Sequence, residues 1–101
     1  MPAKTWKNFE RKIAELLGGA RIPCSGNARI KGDVLHEIFF IECKYGEQIP
    51  KRITDWYKKA KEQADGKITL LCMKPKGMHI DFILISVEDF IKILRDGHGN
   101  K

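Results

Sequence analysis

Ile38-Phe39-Phe40-Ile41 is apolar at four consecutive positions, and Glu42 and Lys44 follow it at once. A β-strand sends alternate side chains to opposite faces, so an unbroken apolar run predicts an interior strand covered on both sides. Such a strand cannot belong to a sheet left open to water on one face, and it requires helices as cover. Past Ile41 the run turns charged, which predicts that its far end emerges at the rim of the sheet.

The flanking segments can supply that cover. Thr5 is placed to cap a helix whose apolar positions Trp6, Phe9, Ile13, Leu16 and Leu17 follow helical spacing, with Gly18-Gly19 as its stop. Glu10 falls at the margin of that helix's buried stripe. "RIKGDVL", residues 29–35, reads as a short strand that reaches 38–41 through a tight connection at His36-Glu37. Pro50 suits the first turn of a second helix with the stripe Ile53, Trp56, Tyr57, Ala60 and Ala64, and Asp65-Gly66 ends it. Two more strands flank "KPKG", and Ser86 with Asp89 resembles a capping box for a last helix carrying Val87, Phe90, Ile91 and Leu94. This order predicts an α/β fold with a mixed central β-sheet flanked by helices. At 101 residues it predicts one domain over 1–101, with a core of about 4–95 and a frayed tail at 96–101.

A hydrophobic content of 43% excludes a disordered chain, and no apolar run approaches the roughly 18 residues of a membrane span. "MPAKTWKNFERKIAELL" lacks the apolar core and cleavage site of a signal peptide. An intracellular protein is expected, in cytoplasm or nucleoid, or in the host-cell cytoplasm if the source is viral. Cys24, Cys43 and Cys72 are odd in number and widely spaced, with no histidine at zinc spacing, so they read as reduced thiols. Lys and Arg outnumber Asp and Glu by 19 to 13, a net charge of +6, which favours an anionic partner such as nucleic acid.

Residues two apart on a strand share a face, so Glu42 and Lys44 should project together while Cys43 points to the core. A hairpin through His36-Glu37 can bring Asp33 beside Glu42. Two carboxylates on neighbouring strands repel each other and are costly to desolvate unless a cation lies between them. Mg²⁺ takes such hard oxygen ligands, and Lys44 nearby can help deprotonate the attacking water or offset charge building on a phosphate. The group suits phosphodiester hydrolysis. The competing account is structural: Asp33 follows Gly32 in a turn, and Glu42 with Lys44 is a solvated strand end in weak ion pairing.

Gly32-Asp33, eight intervening residues and then Glu42-x-Lys44 on an apolar strand resembles the core motif of the PD-(D/E)xK nuclease superfamily. Gly32 replaces the proline, as is common in the superfamily's resolvase branch. Glu10-Arg11 in "FERKIAELL" is similar to the acidic-basic pair of archaeal-type Holliday-junction resolvases and similar phage endonucleases, and "RIPCSG" and "GKITLLCMKPKG" extend the likeness over roughly residues 4 to 86. The resemblance implies a restriction-endonuclease-like core and a metal-dependent, structure-selective endodeoxyribonuclease of DNA recombination and repair. It implies Mg²⁺, with Mn²⁺ as the alternative, held by Glu10, Asp33, Glu42 and the Cys43 backbone carbonyl, with Lys44 as catalytic lysine. It further implies a homodimer acting on branched DNA, with Arg11, Arg21 and Ser25 as candidate contacts, and the basic Lys31 is a further candidate. Lys51 and Arg52 join that set from a helix that also carries Lys58, Lys59 and Lys61, a face able to follow a phosphate backbone. The alternatives are a nuclease of the same fold acting on nicked, flap or duplex DNA, and a non-cleaving DNA-binding module. His36, His79 and His98 show no ligand or triad spacing, and Trp56 and Tyr57 read as core rather than as base-stacking platforms.

Overall fold

A computed structural model of the chain describes residues 5–22 and 31–97. Cys24, Ser25, the start of the expected 29–35 strand, His98 and the end of the tail lie outside the described residues. The order is α1 (Thr5–Leu17), β1 (Ala20–Arg21), β2 (Val34–Leu35), a 3-10 turn (Gly46–Gln48), α2 (Lys51–Gln63), β3 (Leu71–Met73), β4 (Phe82–Leu84) and α3 (Val87–Asp96). This is a mixed α/β architecture. Its described strands form two antiparallel pairs, β1 with β2 and β3 with β4, where the sequence predicts one mixed sheet. The contacts divide the chain into two compact units, Met1–Ile49 and Pro50–Lys101.

In the first unit, Ile13 and Ala14 of α1 are buried, as is Val34 of β2. Spacing of three and four puts Glu10, Ile13 and Ala14 on one helical face, which packs against β1 and β2. Trp6 and Leu16, expected in the same stripe, are instead 41% and 44% exposed. The Gly19 N–H donates to the Ala14 carbonyl at 2.8 Å, closing the helix in the manner of a Schellman turn. Chain reversal then brings β1 so close to β2 that a Cβ on Gly19 would meet the Leu35 carbonyl. The β1–β2 register pairs Ala20 with Leu35 and Arg21 with Val34, and Val34 also bridges Ile41.

The run 38–41 is not the doubly covered strand that its composition predicts. Ile38 is 76% and Phe40 73% exposed, whereas Phe39 and Ile41 are half-buried. The alternation is that of a one-sided surface. His36 supplies the physical reason: its Nδ1 accepts the backbone N–H groups of Ile38 at 3.0 Å and Phe39 at 3.3 Å. A side-chain turn thus competes with the ladder for those donors. With Nδ1 accepting, the ring proton sits on Nε2, which donates to the Leu17 carbonyl at 2.9 Å and ties β2 to the end of α1.

In the second unit, Pro50 precedes α2 as its N-cap, and Asp65 and Gly66 take positive φ just beyond its end. Ile53, Tyr57, Ala60 and Ala64 form the inward stripe as the spacing predicts. Trp56 does not join them: it is 48% exposed, because 100° per residue carries it to the margin of that stripe. β3 pairs with β4 in the register Leu71 to Leu84, Cys72 to Ile83 and Met73 to Phe82. The Ser86 hydroxyl accepts the Asp89 N–H at 3.1 Å, and Gly97 closes α3 in the left-handed region. Leu94, expected inside, is 52% exposed.

Candidate functional site

Asp33 is fixed from three directions. Its carbonyl accepts the Ile22 N–H at 3.0 Å, and its N–H donates to the Ile41 carbonyl at 2.8 Å. Its carboxylate Oδ2 accepts the Cys43 N–H at 2.6 Å, standing in for the next backbone acceptor of the ladder. Gly32 just before it has φ +89°, and a Cβ there would lie 3.0 Å from the Ile41 carbonyl. Proline, locked near −65°, cannot adopt that conformation, which accounts for glycine at this position.

Glu42 and Lys44 lie together, with Lys44 Nζ 3.4 Å from Glu42 Oε2, both more than half exposed. An ion pair this exposed contributes little to stability, so the two charges are available for other partners. Glu10 lies deeper than the margin predicted for it, at 9% exposure on the packed face of α1. Arg21 on β1 reaches back to it, its Nε 2.8 Å from Glu10 Oε1, with side-chain exposures of 18% and 11%. Burying a lone carboxylate is costly, and the guanidinium offsets that cost.

These residues bear on one thiol. Burial pushes the Cys43 thiol above its usual value, and the negative charges of Asp33, Glu10 and Glu42 push it the same way. Cys43 does not face away from the charged residues, as strict alternation predicts. It lines, together with Glu10 and Lys44, a cavity of about 300 Å³ between α1 and the segment 43–48. The reason is local, since residues 42–45 are not a regular strand and the two-residue alternation lapses there.

The donor chemistry fits a hard divalent cation: carboxylates from α1, from the residue before β2 and from the segment after Ile41, with a backbone carbonyl between Glu42 and Lys44. Among the described residues no three His, Cys, Asp or Glu side chains already form a metal-holding group. Glu10 is engaged by Arg21, and Asp33 by the Cys43 N–H. For Glu10 to serve as a ligand it would have to exchange or share Arg21.

The other expected contacts divide. Arg11 is exposed and donates to Asn8 Oδ1 at 2.7 Å, and Lys31 is exposed. Arg21 faces Glu10 and also lies 5.9 Å from the Trp6 ring. Ser25 lies outside the described residues. Lys51 and Arg52 belong to the second unit, exposed on α2, and Lys51 Nζ is 2.9 Å from Asp55 Oδ2. Sequence reasoning missed Trp6, Tyr45 and Gln48 as cavity-lining residues. Helical spacing assigned Trp6 to the core, and the nearest signal for Tyr45 was its place directly after Lys44.

Among the described residues no helix is long and apolar enough to cross a membrane. Comparison of the chain with protein-family models, with curated proteins and with solved structures finds no match.

Proposed function

We propose that the chain is a metal-dependent endodeoxyribonuclease with a restriction-endonuclease-like, PD-(D/E)xK core, acting inside the cell on branched DNA in the manner of a Holliday-junction resolvase. The observation that carries this reading is that the Asp33 carboxylate accepts the Cys43 N–H at 2.6 Å while Lys44, 3.4 Å from Glu42, lines one cavity with Cys43 and Glu10. Two oxygen donors of different chain segments and a lysine at one place are what a hard cation and a phosphate need. The net charge of +6 supports a polyanionic substrate.

In this reading Asp33, Glu42 and the Cys43 carbonyl hold Mg²⁺ or Mn²⁺, with Glu10 joining when Arg21 releases it. What the cation supplies when bound is charge neutralisation and Lewis-acid polarisation at a phosphodiester. Lys44 orients the attacking water and offsets the charge that gathers on the phosphate oxygens as the new P–O bond forms and the ester P–O bond breaks. Glu42 keeps the Lys44 ammonium within reach. Arg21, Arg11 and Lys31 are phosphate contacts, with Lys51 and Arg52 as further basic contacts. One site cuts one strand, so paired nicks require a two-fold homodimer.

The Glu10–Arg21 pair favours a second reading, a DNA-binding module that does not cleave, because the pair satisfies the deepest carboxylate without any metal. Labelled four-way junction, flap and linear duplex, incubated with Mg²⁺ or with EDTA, separate the two. Metal-dependent cutting of the junction, retained binding but lost cutting in Lys44→Ala, and little cutting of linear duplex are expected. Binding without cutting overturns the nuclease, and equal cutting of linear duplex overturns selectivity for branches.

A further inference from the structure

We propose that the cavity beside Glu10 and Lys44 is a seat for one unpaired nucleobase, stacked against Tyr45 and Trp6. The identification of its ligand as nucleic acid rests on the nuclease reading. The cavity itself and its walls do not.

Trp6 and Tyr45 are 41% and 47% exposed, and both line this cavity. Trp56 and Phe40 are at least as exposed, and what sets Trp6 and Tyr45 apart is that both border one cavity. Tyr45 is braced by Phe9, their ring centroids 5.7 Å apart and tilted by 44°, a favourable aromatic geometry that fixes one side of the Tyr45 ring. Trp6 has the Arg21 guanidinium at 5.9 Å and the Lys7 ammonium at 5.3 Å from its ring. Cations beside an aromatic face are the combination that holds single-stranded nucleic acid, phosphate on the charge and base on the ring. Gln48 adds an amide with both donor and acceptor capacity, suited to a base edge.

Size restricts the occupant. At about 300 Å³ the cavity stands at the small end of ligand pockets and admits a single base, not a base pair in its stack. A base inside a duplex is already stacked on both faces and must be extruded before it can enter, whereas a base in a flap or bulge is already unpaired and enters at little cost. Stacking tolerates every base, so the seat provides selectivity for disrupted pairing without selectivity for sequence. It lies against Glu10 and Lys44, which sets the unpaired nucleotide next to the phosphate to be cut.

The test uses the full chain with Trp56→Phe, which leaves Trp6 as the sole tryptophan, in EDTA so that binding is separated from cutting. Fluorescence is titrated with a duplex carrying one unpaired base and with the same duplex fully paired. Quenching by the unpaired-base duplex at far lower concentration is expected, with Tyr45→Leu weakening that binding about ten-fold and leaving the paired duplex unchanged. Leucine keeps an apolar side chain of similar bulk, and urea unfolding of the variant checks that the unit remains folded. Equal quenching by both duplexes, or equal weakening of both by Tyr45→Leu, overturns the seat. The two readings fail separately. Cutting in Mg²⁺ with no Tyr45 effect removes the seat and keeps the nuclease, while selective Trp6 quenching without any cutting keeps the seat and removes the nuclease.

Discussion

Asp33 Oδ2 and the backbone N–H of Cys43 are 2.6 Å apart, so one carboxylate both terminates a β-ladder and supplies charge to the candidate site. The two roles separate by substitution. Asp33→Asn keeps an oxygen acceptor for the Cys43 N–H, whereas Asp33→Ala leaves that donor without it. In urea unfolding, Asp33→Ala should lose about 1–3 kcal/mol and Asp33→Asn clearly less. Both should abolish metal-dependent cleavage, and wild-type cleavage by Asp33→Asn would remove Asp33 from the metal site.

Glu10 and Arg21 form an ion pair that is largely shielded from water. Arg21→Ala leaves a buried carboxylate uncompensated and should cost about 2–4 kcal/mol. Adding Glu10→Gln should restore part of that loss, a coupling read from a double-mutant cycle by chemical denaturation. Strict additivity of the two single changes would show that the pair contributes nothing.

Gly32 combines φ +89° with a neighbouring Ile41 carbonyl 3.0 Å from its absent Cβ. Gly66, at φ +83°, has open space around it. Gly32→Ala should therefore destabilise by about 1–3 kcal/mol, more than Gly66→Ala, which carries backbone strain alone. Thermal unfolding of the two variants side by side measures the difference. Gly32→Ala should also slow cleavage, since any shift there moves Asp33.

The Cys43 thiol is raised above its usual 9.0 by burial and then by Asp33, Glu10 and Glu42. Its thiolate, the reactive form, is correspondingly scarce, so iodoacetamide should label Cys43 more slowly than the exposed Cys72 near pH 8. Peptide mass spectrometry over time reads both sites. The sign for stability is fixed by the same shift: the folded state favours the neutral thiol, so this contribution is full below pH 9.0 and is lost as pH rises through the folded value. Cys43→Ser should flatten that alkaline loss. Glu42→Gln should speed labelling by removing one opposing charge.

What was legible in the sequence is what short-range geometry determines. Glu42 and Lys44 are close enough in sequence to pair even where the strand loses its regularity, and the Ser86–Asp89 cap follows from four adjacent residues. The stops at Gly18 and Gly66 follow from the positive φ that glycine adopts freely. Ile38 and Phe40 were misjudged because apolar character states that burial is favourable but not what is near enough to provide it. The His36 side chain withdrew two backbone donors from the expected strand, a competition that no periodicity reveals. The depth of Glu10 depended on Arg21, a partner brought close only when β1 folds back along α1. Cys43 turned toward the cavity because the strand lost regularity at the position where it becomes charged.

Glu10, Asp33, Glu42 and Lys44 all lie in the first compact unit, and the bonds that position them join residues of one short stretch of chain. Closing short loops takes little entropy, and contacts of low sequence separation form early. During synthesis from the N-terminal end, the carboxylates and the lysine can therefore find one another while α2 and α3 are still being made.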